Sequence, residues 1–190
     1  MQEPKNEPLA DKHAIVTGAS RGIGAATAAK LAALGADISL MSRSRETLEK
    51  RCDELDNAIG GNYLAVPVDV TDRQRVEEAM RQAREQLGPA DILVNNAGAA
   101  VGKPFTELSA EDWESMMAVN LDSVFYCTKA VLSGMLERGT GRIVNMASTT
   151  GLTGYKYVAH YAASKHGVVG LTKSLAKEVA EFGMTVNAVC

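Results

Sequence analysis

Apolar and polar positions along this chain fall into two repeating patterns. Short runs rich in Ile, Val and Leu occur at His13–Thr17, Asp37–Met41, Tyr63–Pro67, Asp91–Asn95, Arg142–Met146 and Met184–Val189. Such short continuous apolar runs predict strands buried on both faces. Between them, amphipathic stretches predict helices over Ile23–Leu34, Arg45–Ala58, Arg73–Leu87, Ala110–Arg138 and Tyr161–Phe182. Gly35, Gly60, Gly88, Gly139 and Gly183 stand where those helices should stop. The order is five β–α units followed by a sixth strand. It predicts the α/β class: one doubly wound, mostly parallel, Rossmann-like sheet with helices on both faces. The expected boundaries are an N-terminal tail over 1–10 and one domain over 11–190.

The length of 190 residues suits one domain with its own core. A formal net charge of −3 offers no basic surplus for nucleic acid. No apolar run is long enough to span a bilayer, and the opening MQEPKNEPLADK lacks the pattern of a signal peptide. Cys52, Cys127 and Cys190 are widely spaced and form no CxxC, so neither a disulfide framework nor a zinc site is expected. A reducing cytoplasm is the expected compartment. No two of His13, His160 and His166 are placed as metal ligands, and no metal is expected.

The first predicted strand runs directly into Thr17-Gly18-Ala19-Ser20-Arg21-Gly22-Ile23-Gly24, where a helix begins. A glycine-rich turn between a strand and a helix lets the backbone approach a pyrophosphate. The helix N-terminus there supplies free N–H groups and the positive end of a dipole. An ordinary turn with three glycines is the other reading.

The TGASRGIG loop, Asn95-Asn96-Ala97-Gly98, Asn120, Ser148 and Tyr161-Ala162-Ala163-Ser164-Lys165 together resemble the short-chain dehydrogenase/reductase family. The resemblance runs from Asp11 to Cys190. Within the family, the GxxxGxG spacing of Gly18, Gly22 and Gly24 resembles the single-domain reductases. It implies hydride transfer between a nicotinamide cofactor and a carbonyl or alcohol. Ser20, Arg21 and Ile23 of the loop, Asp69 and Val70 after the third strand, and Asn96, Ala97 and Gly98 after the fourth would then contact the cofactor. For Asp69, a role in capping the next helix is weaker, because Thr71 or Asp72 fits a cap better.

Asp37 lies at the distance from the loop where an acidic residue holds the ribose in NAD enzymes. It opens the second strand, however, and ligands of open α/β sheets bind beyond the carboxyl ends of strands. At that end stand Ser42 and Arg43, where NAD-preferring relatives carry an Asp in place of Ser42. Arg43 and Arg21 can pair with a 2′-phosphate. NADP(H) is therefore expected over NAD(H). The other reading of Arg43 and Arg45 is two solvated residues at a helix start.

Tyr161 and Lys165 are four residues apart on one face of a predicted helix. An ammonium beside a phenol favours the phenolate, which suits a general acid or base. Ser148 follows the fifth strand at the same edge of the sheet. The resemblance implies that Ser148 polarises the substrate oxygen and Tyr161 exchanges the proton. It also implies that Lys165 tunes Tyr161 and holds a ribose, and that Asn120 bends the long helix and binds a water linked to Lys165. A surface asparagine inside a long helix is the alternative for Asn120. The amides of Asn95 and Asn96 are expected on backbone groups of neighbouring strands. Trp113, Met116 and Met117 read as helix packing, and Cys127 as core.

The closest wording is to 3-oxoacyl-thioester reductases, 3-hydroxyacyl-CoA dehydrogenases and polyketide ketoreductases, through GRIVN, SKHGVVGLTKSLAKE and MTVNAVC. That implies an acyl-thioester or other small-molecule substrate and a homotetramer or homodimer. Relatives continue past the sixth strand with a substrate loop and a seventh strand, so the domain is expected to be C-terminally incomplete at Cys190. Other ketone, sugar or steroid reductases, alcohol oxidation, and a non-catalytic nucleotide-binding module remain alternative readings.

Overall fold

The computed structural model describes residues 7–190; residues 1–6 of the expected tail lie outside them. Strands β1 (His13–Thr17), β2 (Asp37–Ser42), β3 (Tyr63–Pro67), β4 (Ile92–Asn95), β5 (Gly141–Met146) and β6 (Met184–Val189) form one sheet. Their spatial order is β3-β2-β1-β4-β5-β6, and every pairing is parallel. The register places His13 against Asp37 on one side of β1 and Ala14 against Ile92 on the other. The strand order reverses between β1 and β4, which opens a crevice at the carboxyl ends of the strands.

Three helices follow the sequence reading closely, α1 (Gly22–Ala33), α2 (Arg45–Ala58) and α3 (Arg73–Leu87), and after them come α4 (Ala110–Met117) and α5 (Ser123–Arg138). The last two were expected as one helix, but a π-helical segment over Ala118–Asp122 separates them. The sixth, α6 (Ala159–Glu178), starts two residues before the expected Tyr161 and ends short of Phe182, which closes a separate 3₁₀ turn. All five expected stop glycines have positive φ.

Two apolar clusters fill the sandwich. One gathers Ala14, Val16 and Ile38 of the sheet with Ala28 and Ala32 of α1 and Leu48 of α2. The other gathers Ile15, Met41 and Ile143 with Val76 of α3 and Cys127 and Met135 of α5. Alternate residues of one strand thus enter opposite clusters, as a strand covered on both faces requires. Each fully buried Leu, Ile or Val contributes about 1.5–3 kcal/mol. Ahead of β1, the Leu9 N–H donates to the Leu34 carbonyl at 2.9 Å, and the Leu9 side chain packs on the first cluster. Trp113, expected to pack, is 41% exposed, because α4 turns Met116 inward instead.

Candidate active site

The glycine loop sits at the carboxyl end of β1. α2, α3 and α4 are each capped by a side chain, from Ser44, Asp72 and Ser109. α1 has no such cap and no acidic residue in its first turn. Its N-terminus therefore keeps its positive dipole end for an outside anion. Gly22 has φ +56° and nothing within 4 Å of where a Cβ would stand. Gly18 and Gly24 are required for a different reason. A Cβ on Gly24 would collide with both the Gly18 oxygen and Asn96 Nδ2, and one on Gly18 would lie 2.8 Å from Asn96 Nδ2. The open space over Gly22 and the uncapped helix fit a pyrophosphate. Ser20 and the exposed Arg21 and Ile23 complete this turn.

Asn96 holds the loop from the end of β4. Its Nδ2 donates to the carbonyls of Thr17 (2.9 Å) and Gly18 (3.2 Å). The Asn96 and Ala97 N–H groups both donate to Thr17 Oγ1 at 3.0 Å. Asn96 thus meets the backbone of β1 as expected, but Asn95 does not bind a neighbouring strand's backbone. β4 is paired on both sides, so those backbone groups are already engaged. Asn95 Nδ2 instead donates to Thr128 Oγ1 and Asn145 Oδ1.

At the end of β2, the buried Ser42 Oγ lacks a hydrogen-bond partner. Arg43 is exposed, whereas Arg45 pairs with Glu49 as an ordinary helix-surface residue. Asp37 is occupied far from this end, accepting from Asn62 Nδ2 at 3.0 Å. Hydrogen bonds from the Thr71 N–H and hydroxyl hold the Asp69 carboxyl below its usual range, and Arg43 adds to this. Asp72 caps α3, and the Val70 side chain enters the core.

Asn120 is fully buried in the π segment, which excludes the surface reading. Its Nδ2 donates to the carbonyls of Ala99 (2.9 Å) and Met116 (3.2 Å), and its Oδ1 accepts from the Ala99 N–H (3.2 Å). Ser123 Oγ donates to the Val119 carbonyl. Side chains thus take two carbonyls that helical N–H groups would use, and the Ser123 N–H reaches back to Ala118. That widening is the π turn.

Lys165 is 5% exposed, and its Nζ donates to the Met146 carbonyl at 2.6 Å. Burial pulls its ammonium down to about 8. Nζ lies 5.8 Å from the centre of the Tyr161 ring. A Cβ on Gly98 would stand 2.7 Å from Asn120 Oδ1 and 3.7 Å from Lys165 Nζ, so Asn120 and Lys165 converge across a residue that must be glycine. Ser148 follows β5 two residues after Met146 and caps the 3₁₀ turn Thr149–Gly151, accepting from the Thr150 N–H. That turn packs on α6, where a Cβ on Gly151 would meet the Lys165 carbonyl at 2.9 Å. One crevice therefore collects the glycine loop, Asn96–Gly98, Asn120, Ser148, Tyr161 and Lys165.

The family model "short chain dehydrogenase" matches residues 12–190. This chain belongs to the short-chain dehydrogenase family. It is 40% identical over 178 residues to the 3-oxoacyl-[acyl-carrier-protein] reductase FabG of Escherichia coli, covering 94% of this chain and 71% of that protein. It is 39% identical over 180 residues to the D-beta-hydroxybutyrate dehydrogenase of Rhizobium meliloti, covering 94% and 70%. The crystal structure of a single-residue variant of actinorhodin polyketide ketoreductase with NADPH superposes with a TM-score of 0.89 at 45% identity, covering 94% of this chain and 69% of that one. The chain spans 65% of the length of a 46%-identical granaticin polyketide synthase protein of Streptomyces violaceoruber.

Sequence reasoning passed over some residues that tie these elements together. Arg51 Nε on α2 donates to the Ser20 carbonyl at 3.2 Å, bracing the glycine loop from outside; nothing in the helical pattern marks it. Asn145 is a polar residue inside the apolar run of β5, and that was its visible signal. His160, next to Tyr161, is 2% exposed with its Nδ1 unpartnered, while His166 is exposed. Burial pushes the Cys127 thiol up to about 12, which leaves no thiolate nucleophile at this position.

Proposed function

We propose that this chain carries the catalytic unit of an NADP(H)-dependent reductase of 3-oxoacyl thioesters, within residues 11–190. The observation that carries the reading is the convergence of Lys165 and Asn120 on Gly98, with Tyr161 beside Lys165. Three features support the cofactor assignment: the uncapped α1 N-terminus, the orphaned Ser42 hydroxyl and the exposed Arg43. Gly18, Ser20, Arg21, Gly22, Ile23 and Gly24 would hold its pyrophosphate, and Ser42 and Arg43 its 2′-phosphate. Asp69 and Val70 would border its adenine. When bound, the nicotinamide supplies or accepts the hydride.

The chain's own residues manage the oxygen and its proton. Ser148 donates a hydrogen bond to the substrate oxygen and orients it. Tyr161 gives up its proton to that oxygen in reduction and takes it back in oxidation. Lys165, its ammonium pulled down to about 8 by burial, stands beside Tyr161 with Nζ 5.8 Å from the ring centre. Asn120 holds the Ala99 backbone and would bind a water through which protons reach Lys165. The thioester assignment follows the names of the FabG and ketoreductase relatives. A second copy of the chain is the partner that the family resemblance implies, and sedimentation would read it as a dimer or tetramer. No helix among the described residues is long and apolar enough to cross a membrane.

The test is NADPH oxidation with acetoacetyl-CoA by the wild type and Tyr161→Phe. General acid catalysis contributes about 10²–10⁴-fold, so the variant loses that much in kcat while NADPH binding survives. Unchanged turnover would remove Tyr161 from the mechanism. The thioester reading fails if simple ketones are reduced far better than acetoacetyl-CoA.

A further inference from the structure

Four polar side chains lie inside the layer between the sheet and α5 and α6. Asn95, Thr128, Asn145 and Thr172 are each 4% exposed or less. They form one hydrogen-bonded chain. Asn95 Nδ2 donates to Thr128 Oγ1 at 3.1 Å and to Asn145 Oδ1 at 2.8 Å. Asn145 Nδ2 donates to Thr172 Oγ1 at 2.9 Å, and that hydroxyl donates onward to the Val168 carbonyl at 2.7 Å. Apolar residues of similar shape could fill this space at little cost in stability. A polar network in such a place imposes one arrangement of the elements it joins.

The elements joined here are β5 and α6. Asn145 and Met146 are consecutive on β5, and each grips α6 at a different point. Asn145 holds Thr172 by its side chain, and the Met146 carbonyl holds Lys165 Nζ. Lys165 and Thr172 are seven residues apart, so they share a helix face about 10 Å apart along the axis. Two ties on one face prevent α6 from sliding or rolling against β5.

We propose that the Asn145–Thr172 pair, backed by Asn95 and Thr128, positions Lys165 against the Met146 carbonyl and beside Tyr161. The proposal rests on the reading of Lys165 as a functional group. These are positioning residues, because none of the four touches Tyr161 or Lys165 through a hydrogen bond. The groups around Lys165 Nζ are the Met146 carbonyl on β5, the Asn120 amide across Gly98 and Tyr161 on its own helix. Of these only Tyr161 is ionisable.

The experiment titrates the Lys165 ε-methylene signal by NMR in the full chain without cofactor, with ¹³C-labelled lysine and Lys165→Met to assign it. The wild-type midpoint is expected near the buried value of about 8. Thr172→Val removes the acceptor on α6, lets Lys165 leave the Met146 carbonyl and rehydrate, and raises the midpoint by about one unit or more. Thr172→Ser keeps the hydroxyl and restores the wild-type midpoint. A folded Thr172→Val chain with the wild-type midpoint overturns the proposal. If Thr172→Val fails to fold, the double variant Asn145→Leu/Thr172→Val removes donor and acceptor together and is read by the same criterion. In turnover with NADPH and acetoacetyl-CoA, Thr172→Val shifts the pH profile of kcat with KM little changed. A wild type without turnover counts against the reductase reading alone, since the titration needs no reaction.

Discussion

Thr17 gives a sharp test of how the crevice is held open. Its hydroxyl, on a side chain 2% exposed, accepts the N–H groups of both Asn96 and Ala97 at 3.0 Å and donates to the Val94 carbonyl at 3.4 Å. Thr17→Val replaces the hydroxyl with a methyl of nearly the same size, so no cavity forms. Two part-buried N–H groups lose their acceptor, at about 1–3 kcal/mol each for a buried donor. The added methyl returns about 0.8 kcal/mol at most. The expected loss is therefore about 1–3 kcal/mol, taking the lower part of the range because the donors are only part-buried. Thr17→Ser keeps the acceptor and deletes one methyl, at about 1 kcal/mol with its small cavity. Urea unfolding of the three chains measures both, and an NADPH titration follows the Asn96–Gly98 segment. Equal stabilities for the Val and Ser variants, or a more stable Val variant, would show that Thr17 acts by packing and would refute the hub.

Other outcomes follow from the same geometry. Gly24→Ala drives a Cβ into the Gly18 backbone, costing about 1–3 kcal/mol against a helix-propensity gain of up to about 1 kcal/mol; thermal unfolding should show a net loss. Gly22→Ala meets open space and bears only the left-handed backbone cost of about 1–2 kcal/mol, but it blocks the loop, so NADPH affinity should fall more than stability does. Equal cofactor affinity in Gly22→Ala and wild type would sink the phosphate reading of the loop. Lys165 has a folded value near 8 against an ordinary 10.5, so the folded chain binds fewer protons between those values and stability rises with pH there. Below pH 8 the burial cost is fully present, on the order of 3 kcal/mol, and Lys165→Met should gain most of it at pH 7 and little at pH 10.5; parallel pH–stability curves would contradict this. Arg43→Ala should weaken NADPH binding by about 10–100-fold and leave NADH binding unchanged, a pattern that fluorescence titration with both cofactors can deny.

Much of the fold was legible because local chemistry and the final structure agree. Five glycines marked the ends of helices, and all adopt the positive φ that other residues resist. Six apolar runs became six strands, with boundaries moved by one residue at three of them. The break in the long helix was implied by the family resemblance, through a bend at Asn120, and not by the hydrophobic periodicity. It arises because Asn120 and Ser123 bond to carbonyls four residues back, and Asn120 turns inward only because the Ala99 backbone waits there with a donor and an acceptor. The partners of Asn95, read as a backbone binder, were not legible. β4 turned out to be central in the sheet, its backbone already paired, so Asn95 found the side chains of Thr128 and Asn145 instead.

The sequence by itself determined the alternation of strands and helices, the glycine loop and the four-residue spacing of Tyr161 and Lys165. These depend on backbone freedom and on periodicity within one element, which neighbours in the chain settle. Tertiary structure decided that Gly98 must be bare, that Lys165 is buried on the Met146 carbonyl, and that Arg51 braces Ser20. It also decided that Thr17 joins β1 to the segment after β4, 79 residues away. Such contacts depend on which strands become neighbours, and the short-range pattern of a chain does not specify them.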